Sequence, residues 1–371
     1  MSEGGSGGIS KRAHTELFDG DIISEILARL PVKPLMRFRC VSKSWNGLIS
    51  DPYFTKKHLR YSDLGITEST SRVLYTMDPP QSLDQEALKD LKNHSDGYFA
   101  NRKLDIPVLF PRGNHSLLGI CNGLICILVQ ENSGFQFMLW NPCTKYFKMF
   151  PKYLCELWFC GFGYDSATDD YKVIVWSGMC KDETPIHVFS LRASSWKVLP
   201  STSFRVCGRH GAYLNGALHW IEENRRTILS FDLEEEKFHD MIPLPDADIK
   251  FHSLRVVENC LCLFNHTVHQ DVVCTIWLMK EYGVKQSWTQ VIRCLRKDFP
   301  EGYRHVFMQP ICFLESGEVL INDLCARLLV LYDPVEKTFK NVTRRADPYG
   351  CGALIYRETL VSPVTDNVAG I

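Results

Sequence analysis

The sequence contains one cluster of zinc-binding side chain types, formed by Cys260, Cys262, His266 and His269. Structural zinc sites usually separate paired cysteines by about two to four residues, whereas a single residue lies between these two. Residues two apart in a β-strand face the same side, so the two cysteines suit the buried face of a strand equally well. The spacing therefore favours a core strand, and we predict that no metal is bound.

A group of aspartates, Asp165, Asp169 and Asp170 in YDSATDDYK, resembles part of a calcium-binding loop. Such a loop needs oxygen ligands at alternating positions and a glycine at its sharp turn, and this segment lacks both. The aspartates instead indicate a hairpin turn that precedes the apolar strand YKVIVW.

Motifs of nucleotide binding and nucleophilic catalysis are not evident in the sequence. The Asn-Gly-Leu and Gly-Phe-Gly segments do not lead into a helix, as a phosphate-binding glycine motif would. Neither a Gly-x-Ser-x-Gly elbow nor a Cys-His signature stands out. We predict no catalytic residues and no cofactor. A catalytic group assembled from distant residues stays open as an alternative at this point.

Composition narrows the choice of partners and compartment. The chain has 371 residues, is 45% hydrophobic and has a net charge of -1, so we expect a sizeable core and no nucleic acid partner. No apolar run approaches the roughly 20 residues that span a bilayer, so we expect no membrane partner. The Gly/Ser-rich start, MSEGGSGGISKR, lacks the apolar region of a secretory signal. We therefore expect reduced cysteines and a location in cytoplasm and nucleus.

The segment that follows the Gly/Ser-rich start has helical periodicity. One predicted helix places its apolar residues on one face, with Asp19 or Asp21 as its cap and Pro31 and Pro34 at its end: Ile22, Ile23, Ile26, Leu27 and Leu30. A second apolar set predicts two short helices that are broken near Cys40: Leu35, Phe38, Val41, Trp45, Leu48 and Ile49. Asp51-Pro52 then predicts the start of another helix. A unit this small rarely stabilises itself alone. It must pack either on a partner or, as a helical cap, on the rest of the chain.

The stretch DIISEILARLPVKPLMRFRCVSKSWNGLISDPYF closely resembles an F-box in the version common in plants. The resemblance implies binding to a Skp-type adaptor, which links F-box proteins to a cullin and a RING subunit. It also implies the residues at the adaptor contact: Leu17, Ile22, Leu27, Leu30, Pro31, Val41 and Trp45. Phe18 stands where the family usually has proline, a departure that concerns the first contact turn and not the helices after it.

The rest of the chain repeats a β pattern in which two aromatic residues are separated by a turn. The pairs are Trp140 and Phe147, Phe189 and Trp196, Phe231 and Phe238, and Tyr332 and Phe339, with a fifth copy from Trp277 to Trp288 that has a longer loop. Hairpins with turn residues precede several copies, at Asn122-Gly123, Asn215-Gly216 and Ser316-Gly317. Two hairpins per period of 42 to 55 residues indicate four-stranded propeller blades.

Five blades can be counted from these repeats: 117–151, 159–200, 210–245, 252–293 and 309–343. We expect the leftover strands RVLYTM (72–77) and ALIYRE (353–358) to combine into one more blade and close the ring. The predicted fold is α+β multidomain, a small N-terminal helical unit followed by an all-β propeller-like domain of about six blades. An open pair of β-sandwich sheets is the alternative.

The repeats also resemble the plant F-box-associated domain, which is kelch-like but lacks the kelch Gly-Gly doublet here. The matching pieces are GICNGLICI, FMLWNPCTKYF, GFGYDSATDDYKVIV, LNGALHWI, ILSFDLEEEKF and LVLYDPVEKTF. The resemblance implies a plant F-box protein whose C-terminal F-box-associated domain recruits the protein to be ubiquitinated. That family has no fixed set of target-contacting residues, so none is assigned.

These patterns together predict five segments: a flexible tail (1–12), the F-box (13–59), a linker (60–71), the propeller-like domain (72–362) and a C-terminal tail (363–371). They predict a non-catalytic, substrate-recognition subunit of a Skp–cullin–F-box ubiquitin ligase with an unidentified target. A propeller enzyme with a helical cap, and an F-box protein that acts as a scaffold outside the ligase, remain as alternatives.

Overall fold

The computed structural model describes residues 20–67, 71–75, 80–85, 88, 102–104, 115–131, 133–155, 157–176, 184–202, 204–223, 226–246, 251, 253–265, 272–298, 308–324, 327–343 and 352–364.

The F-box region forms four short helices. The helices are α1 (residues 20–28), α2 (Val32–Phe38), α3 (Lys43–Ser50) and α4 (Pro52–Asp63). The predicted break near Cys40 is therefore present between α2 and α3.

The helix ends follow the local sequence. Ser42 caps α3 by accepting a hydrogen bond from the Trp45 N–H at 3.1 Å. Asp51 caps α4 in the same way, with Pro52 at the first helical position, as predicted. The prediction that Pro34 helps to end α1 is wrong. Pro34 lies in the first turn of α2, where a helix needs no N–H donor.

The four helices pack around a small apolar core of their own. Leu27, Val32, Leu35, Ile49 and Phe54 are buried in it. Two hydrogen bonds that join α1 to α4 and to the residues just after α4 support this core. The Tyr61 hydroxyl donates to Glu25 at 2.8 Å, and the Thr67 hydroxyl donates to the Ala28 carbonyl at 2.9 Å.

Twenty-four strands of the described residues form six four-stranded blades. The first blade consists of β4 (His115–Cys121), β5 (Leu124–Glu131), β6 (Gly134–Trp140) and β7 (Phe147–Met149), and the second of β8 (Phe159–Asp165), β9 (Asp170–Trp176), β10 (Thr184–Ser190) and β11 (Ser195–Thr202). The third consists of β12 (Val206–Leu214), β13 (Ala217–Glu222), β14 (Thr227–Asp232) and β15 (Lys237–Pro243), and the fourth of β16 (Ser253–Val257), β17 (Cys260–Asn265), β18 (Val272–Met279) and β19 (Trp288–Leu295). The fifth consists of β20 (Met308–Phe313), β21 (Val319–Asp323), β22 (Leu328–Asp333) and β23 (Thr338–Asn341).

The sixth blade closes the ring with strands from both ends of the domain. Its order is β24 (Ala353–Arg357), β1 (Ser71–Tyr75), β2 (Gln81–Asp84) and β3 (Arg102–Lys103). β24 pairs with β1 in antiparallel register from Ser71 opposite Arg357 to Tyr75 opposite Ala353. The first strands of the other blades lie beside one another around the centre, and β24 lies between β20 and β4. The propeller with leftover strands in a closing blade is confirmed.

The repeated aromatic pairs are cross-strand neighbours in the outer hairpin of four blades. Phe231 pairs with Phe238 and Tyr332 with Phe339, with ring centroids 5.1 and 4.6 Å apart. In three of these turns, a side chain oxygen accepts backbone N–H groups two and three residues later. Asn141, Asp232 and Asp333 all act in this way. The predicted role of these residues in tight turns is confirmed.

The fifth aromatic pair differs from the other four. Trp277 lies opposite Gln290, whereas Trp288 lies opposite Met279, so the two tryptophans are not cross-strand partners. The register shifts between Ile276 and Trp277, and the hairpin loop includes a 3₁₀ turn at Lys285–Ser287. Aromatic residues seven positions apart therefore pair across the hairpin, whereas the longer loop between Trp277 and Trp288 takes these two out of register.

Within the part of the chain that the structure describes, no helix is both long enough and apolar enough to cross a membrane.

Candidate partner-binding surfaces

The F-box exposes large aliphatic side chains although its own core is filled. Ile22 and Ile26 lie one helical turn apart on α1 and are 55% and 57% exposed. Val41, in the turn between α2 and α3, is 62% exposed. Scattered apolar side chains are common on protein surfaces, but three β-branched residues on so small a unit indicate a surface that a partner can cover.

The structure places the seven predicted adaptor contacts in different environments. Leu17 lies outside the described residues, and Ile22 and Val41 are exposed. Leu30, Pro31 and Trp45 are half-buried, and the Trp45 ring meets Phe38 edge-on at 5.5 Å. Leu27 is 2% exposed and belongs to the core of the four helices. In this structure Leu27 supports the surface from beneath, and its contact with an adaptor stays a prediction.

Ile26 is an exposed residue that the resemblance to the family did not single out. It belongs to the same apolar periodicity as Ile22, because the two are four residues apart on a helix. The periodicity alone could therefore have identified it. Tyr53, at the start of α4 and 78% exposed, gave no such signal.

The F-box packs directly on the propeller. Leu360, from the segment that follows β24, is buried in the core of the F-box helices, and Cys143 from the β6–β7 turn packs against the same core. The Arg39 guanidinium lies 5.9 Å from the centre of the Tyr146 ring in that turn. The possibility of a helical cap on the rest of the chain is thus realised on one side of the unit, while α1 leaves Ile22 and Ile26 exposed.

Polar contacts extend this joint across three neighbouring blades. Lys56 forms an ion pair with Asp169 in the β8–β9 turn, and Asp63 forms one with Arg357 at 2.5 Å. The segment after β24, which contributes Leu360 to the F-box core, is itself fixed to the propeller, since the buried Thr359 donates to the Asn122 carbonyl at 2.9 Å. The α4 helix continues to Asp63, beyond the end of the F-box that the sequence predicted. The joint therefore uses residues from the predicted linker.

The propeller consequently has two unlike faces. The turns that follow the first and third strands of the blades, such as those at Asn122 and Tyr146, lie on the F-box side. Antiparallel order places the ends of the second strands, and the ends of the fourth strands, on the opposite face. β9 therefore ends at Trp176, and β17 at Asn265, on the face that lies away from the F-box.

The residues first considered for metal chemistry have structural roles where they are described. The 166–169 segment is the β8–β9 hairpin turn, as predicted, and Asp165 lies opposite Asp170 at its base. Cys262 lies on β17, where burial raises the pKa of its thiol. His266 and His269 lie outside the described residues. Among the residues that are described, no three metal-ligand side chains gather.

Asp165 is instead part of a buried network between the second and third blades. The Lys172 amine lies 2.9 Å from Asp165 and 3.0 Å from Glu236, and donates to the Leu233 carbonyl at 2.6 Å. Burial raises the pKa of Asp165, but hydrogen bonds from Thr168 and Lys172 outweigh it and leave this pKa lowered. The network holds neighbouring blades together.

A cavity of about 1170 Å³ runs through the centre of the propeller. Its walls are formed largely by the first strands of the blades, including β4, β12, β16, β20 and β24. Leu59 and Asp63 of α4 line its F-box end. The charged residues of its walls include Arg209, Arg255 and Glu258.

Comparison with known proteins agrees with this architecture. Residues 20–57 match the F-box domain family, and residues 104–349 match the family described as F-box associated beta propeller domain. The chain is 27% identical to F-box protein CPR1 of Arabidopsis thaliana, over 92% of this chain and 88% of that protein. It is 29% identical to an F-box/kelch-repeat protein of the same plant, over 92% of this chain and 95% of the relative.

The matched ranges also correct the description of the second domain as C-terminal. The F-box is N-terminal, and the F-box-associated match follows it and ends at residue 349. Two successive domains, one of four helices and one of six blades, are thus recognised both by their sequences and by their architecture. The chain belongs to the family of F-box proteins with an F-box associated beta propeller domain.

Proposed function

We propose that this chain is the substrate-recognition subunit of a Skp–cullin–F-box ubiquitin ligase. The F-box would dock on a Skp-type adaptor, which would link the chain to a cullin and a RING subunit. The observation that carries the proposal is the exposure of Ile22, Ile26 and Val41 on a family-matched F-box whose core is already filled. Covering such side chains with a partner's helices is favourable, because it removes apolar surface from water.

The target protein would bind the propeller face that lies away from the F-box. The F-box and the segment after β24 occupy the other face through Arg39, Lys56 and Leu360. The second and fourth strands of the blades end on the free face, and connections on a rigid scaffold commonly carry recognition. The target would then be held at a fixed position relative to the adaptor.

The chain itself would carry out no bond chemistry. Ubiquitin transfer would be faster because the target's lysine is held near the loaded conjugating enzyme, which raises its effective concentration. A propeller enzyme would need a catalytic group in the central cavity, and the family match favours recognition instead.

The adaptor contact is tested by substituting exposed residues, because their change leaves the core intact. We expect the wild-type chain to co-purify with a plant Skp-type adaptor, and Ile22→Glu and Val41→Glu to weaken that binding about tenfold or more, since each buries a charge in an apolar contact. Val335→Glu is the matched control, since Val335 is 83% exposed on the propeller. Its adaptor affinity, measured by calorimetry, should equal that of the wild type.

Two outcomes would contradict the proposal. One is a folded wild-type chain that does not bind the adaptor. The other is equal adaptor affinity for the wild type and both F-box variants. Co-purification of cullin and RING subunits with the adaptor complex separates a ligase subunit from a scaffold that acts outside the ligase. We further propose that the protein works in cytoplasm and nucleus, which imaging of a tagged full-length chain would test.

A further inference from the structure

The basic residues of the central cavity are distributed unevenly along its length. Arg357, at the F-box end, is paired with Asp63 at 2.5 Å. Glu258, the other acidic residue among the described walls, lies in the β16–β17 turn at that same end. Arg209 and Arg255 lie further from it, and neither contacts a carboxylate of the described residues. Among the described residues of the walls, positive charge is therefore uncompensated towards the opposite mouth of the cavity.

Arg255 lies on the middle of β16 and is half-buried. Its guanidinium donates to the side chain of Gln309, the second residue of β20. Burial lowers the pKa of Arg255 to about 10, so the side chain keeps its charge near neutral pH. This cation has lost hydration and has no anionic partner among the described residues, which is a costly arrangement.

A bulge in β12 directs a second cation towards the same region. The pairing of β12 with β13 shifts between Cys207 and Ala212, and Gly208 has a φ of 83°. The irregular stretch presents Arg209, whose guanidinium donates to the carbonyl of Leu157 at 3.5 Å. Leu157 precedes β8, so Arg209 lies towards the mouth that faces away from the F-box.

His210, which lines the same cavity as the two arginines, adds an unused polar atom. Its Nε2 is buried and has no hydrogen-bond partner among the described residues. Burial, and then the charges of Arg255 and Arg209, lower the pKa of His210 to about 4. Both guanidinium groups therefore act on this ring, and the imidazole is neutral near pH 7. Three nitrogen-bearing side chains thus line one cavity, and none of them has a carboxylate partner among the described residues.

We propose that Arg209, His210 and Arg255 form a binding site for an oxyanion, a carboxylate or phosphate group carried by the target protein. The proposal rests on the proposed function, in which the target meets this face of the propeller. Guanidinium groups suit both anions, because their planar donors form paired hydrogen bonds with two oxygens. The site would thus select targets with an acidic or phosphorylated side chain that reaches the channel mouth.

The site is tested with inorganic phosphate and acetate as probes, on the full chain in complex with its adaptor or alone if stable. At constant ionic strength, we expect phosphate or acetate to raise the Tm of the wild type above that in chloride. Arg255→Gln should weaken probe binding about tenfold or more, since a hydrogen bond to a charged group is lost. Arg209→Gln is the second variant, because Arg209 is exposed enough for the change to leave folding intact. Arg293→Gln, an exposed arginine on β19, is the control and should bind as the wild type does.

The probes distinguish the two sources of the anion. Stabilisation by phosphate alone supports a phosphorylated target, and stabilisation by both probes supports an acidic side chain. Without either probe, Arg255→Met should keep or raise the Tm, because it removes an uncompensated charge; a purely structural arginine would lower it. Equal probe binding by the wild type, Arg255→Gln and Arg209→Gln would overturn the site, as would no stabilisation by either anion. Adaptor binding is measured separately, so failure of the site is distinct from failure of the ligase proposal.

Discussion

At the scale of single residues, the charges of this protein serve two different purposes. Lys172 satisfies Asp165 and Glu236 between two blades, so its charge is fully used within the fold. Arg255 has only an amide oxygen as a described partner. Because a buried charge needs a counter-charge, the first arrangement contributes to cohesion of the blades and the second leaves capacity for a ligand.

The Lys172 network leads to a prediction about stability. Lys172→Met should lower the free energy of unfolding by about 3–5 kcal/mol, because it leaves the fully buried Asp165 carboxylate without its cation. Urea denaturation at pH 7 measures the change. Lys197→Met is the control, since Lys197 is 64% exposed and its pair with Glu236 should contribute about 1 kcal/mol or less.

The pH dependence of that difference follows from the lowered pKa of Asp165. A carboxyl group whose folded pKa lies below its unfolded value stabilises the fold above about pH 4, and this contribution is lost as the pH falls through the folded pKa. The difference between wild type and Lys172→Met should therefore shrink on acidification below about pH 4. A difference that stays constant down to about pH 2 would contradict this account.

At the scale of elements, the turns explain why so much of the propeller could be predicted. Asn122 and Asn215 have φ of 50° and 51° and the following glycines have φ of 75° and 79°, so the Asn-Gly pairs form the turns that they favour. Asp232 and Asp333 close the outer hairpins with their own side chains. Because each signal lies within a few residues of its effect, the sequence was sufficient to place these strands.

Gly123 and Gly216 provide a matched pair for a test of how closely the β4–β5 turn packs on β24 and the segment after it. Both have positive φ, but a Cβ at Gly123 would lie 2.7 Å from the Arg357 carbonyl oxygen, whereas a Cβ at Gly216 would have no heavy atom within 4 Å. Each substitution by alanine should cost about 1–2 kcal/mol for the strained backbone. Gly123→Ala should cost clearly more in urea denaturation; an equal loss would show that this close approach relaxes freely.

The features that the sequence did not reveal depend on contacts between distant residues. The bulge at Gly208 gives Arg209 and His210 their positions, but glycines in a strand pattern do not specify where their neighbours point. The packing of four helices buries Leu27, which its match to the family motif did not reveal, and its adaptor contact stays a prediction. The offset between Trp277 and Trp288 arises from a longer loop and a shifted register.

At the scale of the whole molecule, the joint between F-box and propeller sets the geometry of the proposed ligase. Leu360 contributes to the F-box core although it follows the last strand of the propeller. Leu360→Ala should lower the stability of the F-box by about 2–5 kcal/mol, as loss of a buried leucine does elsewhere. Hydrogen exchange should then quicken in α1 to α4 and stay unchanged in β16 to β19.

The control for this change is Val364→Ala, a residue of the same segment that is 39% exposed. It should leave exchange in the helices as it is in the wild type. Unchanged exchange in Leu360→Ala would show that the F-box is held by its polar contacts with the propeller. In a reconstituted ligase, a loosened joint should reduce ubiquitin transfer more than it reduces adaptor binding, because the target's position becomes less defined.

The pairing of β24 with β1 and the insertion of Leu360 have a consequence for synthesis on the ribosome. The F-box helices emerge first, but Leu360, which fills part of their core, is made only after the last strand of the propeller. Until then β1 has an open edge and the helices lack part of their packing. We therefore expect a chain that terminates before β24 to have a less stable F-box and an incomplete sixth blade. Under the proposed function, such a chain should bind the adaptor more weakly than the full chain does.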